Sequence, residues 1–500
     1  MSENLVGVDI GSGGCKVVII DPSGQIKGEA YQEWPTKYPQ PGWSEQDPAD
    51  WEKALGSTMR AALIKGEIKS REVVAIALGS ATHSIVFLDG NDQVLRPAFL
   101  WTDKRTLRQV EWLKETHGDL IFQETLHAPN VNWSLPYLLW VRENEPQIWA
   151  KTKRVAMPKD YIRFRLTGIW ATDPIDAVGT LMFNPVTRDW SQKICNALEI
   201  PLDILPTLSP PKEIIGPLTK YPADLLGLRE GTPVITGTTD QACEALGSGA
   251  ISPGQGIVKL ATAGNVAVVT DAPHPDPLKV YAYLHIVPGQ WYTLTGVTSC
   301  AVCYRWMRDT FFEDLESEAI GNGASAYERM DSMAREVEEG CEGLFFHPNL
   351  HGSFTSPRMK GDFIGISFRH TRAHFARSVL EGIAFSLYEA YERLEALGVN
   401  ADDLRIIGGG SKSLLWQQII CDVFGRAIVV PTVADSSFGA AILAAMAMGI
   451  FRDAEDAVKQ CVHYKRSLEP DRTRHELYQQ LYECYRESQA SLEPIYNKYS

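Results

Sequence analysis

The feature that most constrains the fold is an echo. Residues 5–21, LVGVDIGSGGCKVVIID, read as a β-rich run, a turn of small residues and a second β-rich run ending in an acid. Residues 256–271, GIVKLATAGNVAVVTD, repeat that plan. Apolar runs joined by a glycine-rich turn form β-hairpins. A chain of 500 residues exceeds what one ordinary core holds, so two such openings point to a duplicated α/β domain. After the first hairpin, IKGEAYQEW (26–34) completes a meander, DPADWEKALGSTMRAALIKG (47–66) has helical periodicity behind an acid, and VVAIALGS (73–80) is a further strand. In the second half the helical ARSVLEGIAFSLYEAYERLEALG precedes the strand of LRIIGGG, the alternation expected of α/β domains. The boundary is expected near residues 245–255, which gives domains over 1–248 and 249–500. PTLSPPKEIIGPL (206–218), rich in proline, reads as a surface connection.

Charge narrows the function classes. The net charge of −14 argues against a nucleic-acid partner, because phosphate backbones are bound by basic surface. It leaves a nucleotide open, since local donors and Mg²⁺ govern that binding. Nine scattered cysteines form no spaced framework, the pattern of reduced thiols in a cytoplasmic protein. Cys300 and Cys303 make a lone CxxC without a second pair, read as buried thiols on a helix rather than a metal site. No leader pattern opens the chain, and no run of about 20 apolar residues suggests a membrane span.

Three glycine-rich places suit phosphate or nucleotide. In DIGSGGCK, Gly11, Ser12, Gly13 and Lys16 follow Asp9 at a strand end; the turn amides can meet a phosphate and Asp9 can hold Mg²⁺ through water. An ordinary tight hairpin with a solvent-facing acid is the alternative, and the GxxxxGK[ST] spacing of a P-loop is absent. In LATAGNV, Thr262 and Gly264 can serve a second phosphate. In IIGGGSKSLLWQQ, a strand runs through Gly408, Gly409 and Gly410 into a helix expected to open at Ser411, with Trp416 behind it; the dinucleotide spacing GxGxxG is absent. A fourth stretch, VITGTTDQACEALGSG (234–249), sets one carboxylate, Asp240, where a strand hands over to a helix. There it can act as a general base on a bound hydroxyl, or cap the helix, and the two roles are compatible. Gln241 can bond a neighbouring hydroxyl. His83 and Thr82, past another strand end, and Trp101, Asp103 and Arg105 in FLWTDKRT suit sugar hydroxyls, or equally a structural histidine and a salt-bridged loop.

Together these segments resemble the FGGY family of carbohydrate kinases over nearly the whole chain. VGVDIGSGGCKVVIIDPSG is similar to its first phosphate motif, and PGWSEQDPADW, LRPAFLWTDKR and MPKDYIRFRLTG to segments that follow it. TGTTDQA takes the place of its catalytic acid. GDFIGISFRHTRAHFARSVLEGIAFSL matches its C-terminal signature, and IGGGSKSLLWQQIICDVFGRAIVVP with SSFGAAILAA its adenosine region. The resemblance implies two actin-, Hsp70- and hexokinase-like (ribonuclease H-like) α/β domains that flank a catalytic cleft and close over their ligands. It implies ATP, Mg²⁺ and a small sugar or polyol, and dimers are frequent in the family. The nearest branch is that of xylulokinases, which implies conversion of D-xylulose to D-xylulose 5-phosphate. Four places depart from family pattern: Ala261 where Gly is usual, Tyr137 where Lys is usual, the shortened NLHGSFTSPRMKG around Ser353, and Ala81-Thr82-His83-Ser84, which is closer to gluconokinases. Gluconate, another pentulose or a polyol is therefore the alternative substrate, with Lys104 and Arg105 as the cations available to a carboxylate. A non-catalytic actin-like nucleotide-binding protein is the alternative of another class.

Overall fold

β1 (Asn4–Ile10), β2 (Gly14–Ile20) and β3 (Ile26–Glu33) form an antiparallel meander, and β4 (Val73–Ser80) pairs parallel with β1 on its other side. β1 is apolar on both faces, as a strand covered on both sides must be. In this computed structural model, which describes residues 3–277, 280–315, 325–353, 356 and 358–499, β5 (Ile214–Pro217), β6 (Pro233–Ile235) and β7 (Thr238–Thr239) complete a seven-stranded sheet. Its order is β5-β6-β4-β1-β2-β3, with β7 also on β4. Helix α1 (Pro48–Lys65) covers β2 and β3 with Trp51, Leu55, Met59 and Ala62, a stripe at helical spacing; Asp47 caps it by accepting from the Ala49 amide at 3.0 Å.

A second seven-stranded sheet holds β8 (Gln255–Leu260), β9 (Gly264–Thr270), β10 (Tyr281–Leu284), β11 (Trp291–Val297), β12 (Asp403–Ile407), β13 (Ala427–Pro431) and β14 (Tyr464–Leu468) in the order β10-β11-β9-β8-β12-β13-β14. The runs β3-β2-β1-β4-β6 and β11-β9-β8-β12-β13 share strand order and direction. The duplication expected from the two hairpins is therefore present in the topology.

The sheets separate more cleanly than the cores. Helices α2 (Asp240–Ser248), α3 (Ala301–Phe311), α4 (Arg372–Glu395) and α5 (Leu414–Phe424) are followed by α6 (Ser436–Ala447), which lies on β1 and β4 of the first sheet and against α2. Its sequence SSFGAAILAAMA is small and apolar enough to sit between them, and a Cβ on Gly439 would lie 1.8 Å from the Cys243 carbonyl oxygen. In the same direction, Tyr283, Leu284, Trp291 and Tyr292 of β10 and β11 share one apolar cluster with Trp133, Leu138 and Ile175 of the first half. The second half thus lends two elements, α6 and the β10–β11 pair, to the cores of the first.

Residues 206–218 are more than a connection. Thr207–Leu208 pairs with Ala171–Thr172, and Ile214–Pro217 is the edge strand β5. An edge strand tolerates Pro217 because the missing N–H faces no further partner. Beneath the first sheet lies a fully buried ionic cluster. The Lys159 ammonium stands 2.6, 2.9 and 2.9 Å from Asp160, Asp173 and Asp176, and Arg163 stands 2.9 Å from Asp160.

Candidate active site

The strand-to-helix junction at Asp240 rests on one backbone conformation. Gly237 has φ +78°, and a Cβ there would lie 2.1 Å from the Leu78 carbonyl oxygen, so only glycine passes. The chain then pairs as β7, with Thr238 opposite Gly79, and Gly79 is itself opposite Asp9. Asp9, Gly79 and Thr238 therefore form one row across neighbouring strands, and Asp240 follows two residues on. The Thr238 hydroxyl donates to Asp173 at 2.9 Å, which ties the junction to the buried cluster. The helix cap is Thr239, whose hydroxyl accepts from the Ala242 amide at 3.2 Å. This corrects the capping alternative for Asp240: it is the first helical residue, half-buried, accepting from the Gln241 amide at 2.8 Å.

Asp240 opens on a cavity of about 570 Å³. The first half supplies Ser12, Ala81, Thr82, His83, Trp101, Asn132, Trp133 and Gln241. The second supplies Lys259, Ala261 to Asn265, Tyr281, Tyr283, Tyr292 and Leu294. Ser12, Thr82, His83, Trp101, Gln241, Thr262 and Gly264 were legible as site residues; Asn132, Trp133, Lys259 and the three tyrosines were not. Tyr281 and Tyr283 alternate in YAYL as any strand residues do, and only tertiary packing brings them here.

His83 sits at φ +70° with Nδ1 3.0 Å from the Gly179 carbonyl oxygen and Nε2 3.2 Å from the Tyr283 hydroxyl. A carbonyl only accepts, so Nδ1 carries the proton and Nε2 accepts from tyrosine. Burial pushes the His83 pKa down to about 4, which keeps the ring neutral. His127 repeats the arrangement: Nδ1 donates to the Thr125 carbonyl at 2.8 Å, Nε2 accepts from the Ala282 amide at 3.2 Å, and burial lowers its pKa to about 3. Two neutral histidines thus fasten β10, and its tyrosines, to the first half. The Trp101 indole donates to Ser12 at 2.8 Å.

Asp103 is placed elsewhere. It is fully buried and its carboxylate accepts from the Ser44 amide at 2.7 Å and from Arg105 at 2.7–3.0 Å. Arg105 also pairs with Glu45 at 2.8 Å and stacks 3.6 Å above Trp43. Neither lines the cavity, nor does the exposed Lys104. The salt-bridged-loop reading is the correct one, because a buried carboxylate needs its cation more than a cavity does. Tyr137 braces the loop, its hydroxyl 3.0 Å from the Leu100 and Asp103 carbonyl oxygens. Gly11, Gly13 and Lys16 also lie off both cavities described here: the Gly11 amide closes the turn on the Gly14 carbonyl at 3.0 Å, and Lys16 pairs with Asp435 at 2.7 Å.

A second cavity, of about 750 Å³, adjoins the first and shares Ala261 and Thr262 with it. It runs between α3 (Ala301, Tyr304, Arg305) and the glycine turn after β12 (Gly409, Gly410). The turn at 261–262 is pinned to the start of α3, where the Cys300 and Ala301 amides donate to the Thr262 and Ala261 carbonyls at 2.9 and 2.8 Å. A Cβ on Gly410 would lie 2.5 Å from the Trp416 ring and 2.8 Å from Leu260, whereas one on Gly409 meets open space. Glycine therefore leaves a flat wall, with the nearly buried Trp416 as its floor, held by its indole on the Leu380 carbonyl at 3.1 Å. Ser411 is off this cavity, bonded to the Gly408 carbonyl at 2.7 Å. The serine that opens helix α5 is Ser413, which accepts from the Trp416 amide at 3.1 Å, because a 3₁₀ turn at Gly409–Lys412 intervenes.

The acid row fits a divalent cation. Asp9 Oδ1 is enclosed and has no hydrogen-bond partner; burial, then the charges of Asp240 and Glu244, push the Asp9 pKa up to about 8. An orphaned carboxylate oxygen beside other acids is the place that Mg²⁺, or its water, would satisfy. Among the described residues no three His, Cys, Asp or Glu gather as a metal cage, and Mg²⁺ in phosphoryl-transfer sites takes one or two carboxylates plus phosphates. Cys300 and Cys303 are buried free thiols at the start of α3, like six of the other seven cysteines. The departure around Ser353 falls partly on residues 354, 355 and 357, outside the described residues.

The N-terminal-domain model of the FGGY family of carbohydrate kinases matches residues 4–247, and its C-terminal-domain model matches residues 261–448. The xylulose kinase of Bacillus subtilis (strain 168) is 31% identical over 487 residues, covering 96% of each chain. The gluconokinase of the same organism is 28% identical, covering 92% of this chain and 91% of its own. The crystal structure of ligand-bound xylulose kinase from Lactobacillus acidophilus has a TM-score of 0.90 at 25% identity, with 100% of both chains covered. With matched models over most of its length and two hairpin-led domains of the actin and hexokinase type, the chain belongs to the FGGY family of carbohydrate kinases.

Proposed function

We propose that this enzyme transfers the terminal phosphoryl group of ATP to the terminal hydroxyl of D-xylulose, giving D-xylulose 5-phosphate, in the cytoplasm. The observation that carries the reading is the pair of cavities joined at Ala261 and Thr262, with Asp240 on the wall of the more aromatic one. A sugar in the first cavity and a nucleotide in the second meet at that turn.

In this reading Asp240 takes the proton from the attacking hydroxyl as its oxygen bonds to phosphorus and the bond to the leaving diphosphate oxygen breaks. Gln241 orients a neighbouring hydroxyl; its Oε1 already accepts from Asn265 at 3.1 Å, and its amide nitrogen is buried without a partner. His83, Thr82 and Trp101 line the sugar, with Trp133, Tyr281 and Tyr283 as apolar walls for its C–H faces. The turn of Gly11 to Gly13, through the amides of Ser12 and Gly13, and the amides of Thr262 to Gly264 face phosphate oxygens once the halves close, and Gly409, Gly410 and Trp416 border the adenine. Mg²⁺, held through water by Asp9, would neutralise phosphate charge. Residues 1–248 then bind sugar and carry the base, and 249–500 bind nucleotide, apart from the tyrosines of β10. Closure over both ligands keeps water, a competing acceptor, from the phosphoryl group.

A neutral ketose suits the first cavity better than an aldonate. Among its described lining residues the one cation, Lys259, is paired with Glu244 at 2.7 Å, and His83 is neutral. The relatedness to a gluconokinase and the position of Lys259 keep gluconate as the second reading. The test is ADP release with a panel of D-xylulose, D-ribulose, L-ribulose, gluconate, glycerol and erythritol. D-Xylulose is expected to give the highest kcat/KM; a higher value for gluconate selects the second reading, and no release with any acceptor selects the non-catalytic nucleotide binder. Sedimentation with the same preparation tests the dimer expected from the family.

A further inference from the structure

We propose that Lys259 is a further catalytic residue, which binds the transferred phosphoryl group from the side of the second half and is held ready by Glu244. The proposal rests on the kinase reading of the site but not on the identity of the sugar.

Lys259 stands on β8 two residues before the turn at Ala261 that the two cavities share. In the β8–β9 register it is opposite Asn265, so both side chains point to one face. That face meets α2: Asn265 donates to Gln241 at 3.1 Å, and the Lys259 ammonium pairs with Glu244 at 2.7 Å. Asp240 and Glu244 are four residues apart on α2 and so lie on one side of the helix. The ammonium is thereby set beside the helical turn that bears Asp240, on an element that also carries the phosphate turn.

Charge gives this placement a use. Asp9, Asp240, Glu244 and Asp435 already crowd the junction, and Lys16 is committed to Asp435 at 2.7 Å and lies off the cavity. A triphosphate adds negative charge at the turn, and the transition state spreads it over three equatorial oxygens. Among the described residues that line the Asp240 cavity, Lys259 is the one cation. Its side chain keeps 19% exposure and a flexible four-carbon stem, so it can leave Glu244 for a phosphoryl oxygen without any backbone motion. Glu244 is a positioning residue: it holds the ammonium in the cavity when no phosphate is present.

The test uses nucleotides alone, so that a wrong sugar cannot mask it. Calorimetry compares ADP with the non-hydrolysable β,γ-imido analogue of ATP, both with Mg²⁺. Wild type is expected to bind the triphosphate analogue about tenfold more tightly than ADP, the scale of one charge-assisted contact. Lys259→Met is expected to bind both equally, with ADP affinity unchanged, and Lys259→Arg to restore part of the preference. The double variant Lys259→Met with Glu244→Gln leaves no unpaired buried charge and should behave like Lys259→Met, which covers failure of the single variant to fold. With the best sugar from the panel, kcat should fall about 10²- to 10³-fold and sugar KM stay within about threefold. A Lys259→Met or double variant that keeps the triphosphate preference, or loses ADP and analogue binding alike, overturns the proposal.

Discussion

Asp240→Asn separates chemistry from folding in a way the geometry makes unusually sharp. The substitution keeps shape and removes the proton acceptor. Loss of a general base costs about 10²- to 10⁴-fold in turnover, or about 2.7–5.5 kcal/mol of barrier. Stability should not fall, for two reasons. The cap of α2 is the Thr239 hydroxyl, which the variant retains. The Asp240 charge is also the largest of the three that raise Asp9 after burial has done so, so removing it relieves repulsion in the acid row. The companion Thr239→Ala has the opposite profile: it loses the cap, about 1 kcal/mol, which lowers the melting temperature by about 2–4 °C in a domain of this size, while Asp240 remains. Coupled ADP-release kinetics and thermal melts on the three proteins decide the matter. Asp240→Asn with more than a tenth of wild-type kcat removes Asp240 from proton transfer; Asp240→Asn that melts several degrees lower than Thr239→Ala shows that its role is structural.

Other expectations follow from the same contacts. Lys159→Met strips the cation from three buried aspartates; breaking a buried ion cluster costs about 3–5 kcal/mol, so the variant should unfold at clearly lower urea or fail to accumulate in soluble form. Tyr283→Phe leaves His83 Nε2 without its donor and should raise sugar KM about three- to tenfold, the scale of one hydrogen bond, with ATP KM unchanged. Burial holds the His127 pKa at about 3 against 6.5 in the unfolded chain, so the unfolded state binds more protons between these values and stability is lost as pH falls from about 6.5. Asp9 and Glu244, raised to about 8 and 7 mainly by burial, act with the opposite sign, losing their contribution as pH rises through those values. Melting wild type and His127→Gln from pH 4 to 7 isolates the first effect: the acid slope should be shallower in the variant, and parallel curves would show that His127 carries none of it.

Much of this protein can be read from local pattern because its causes are local. Two apolar runs around small residues make a hairpin wherever they occur, Gly237 and a threonine pair force a turn into a helix, and three glycines after a strand leave a flat wall. These set the paired sheets, the position of Asp240 and the nucleotide side. Local pattern misleads where one short segment has two chemically reasonable outcomes. Asp103 faces its own Arg105 rather than a sugar, since burial made the ion pair compulsory. Ser413 rather than Ser411 opens a helix, since a 3₁₀ turn lies between them. Contacts between residues far apart in the chain leave no local trace at all. Tyr283 reaches His83 across 200 positions, and Lys259 meets Glu244 only because two halves of the duplication press together. Apolar burial is non-directional and drives such meetings without a motif to announce them, so the reaction class was visible in the chain while the walls of the Asp240 cavity, with Lys259 among them, emerged from packing.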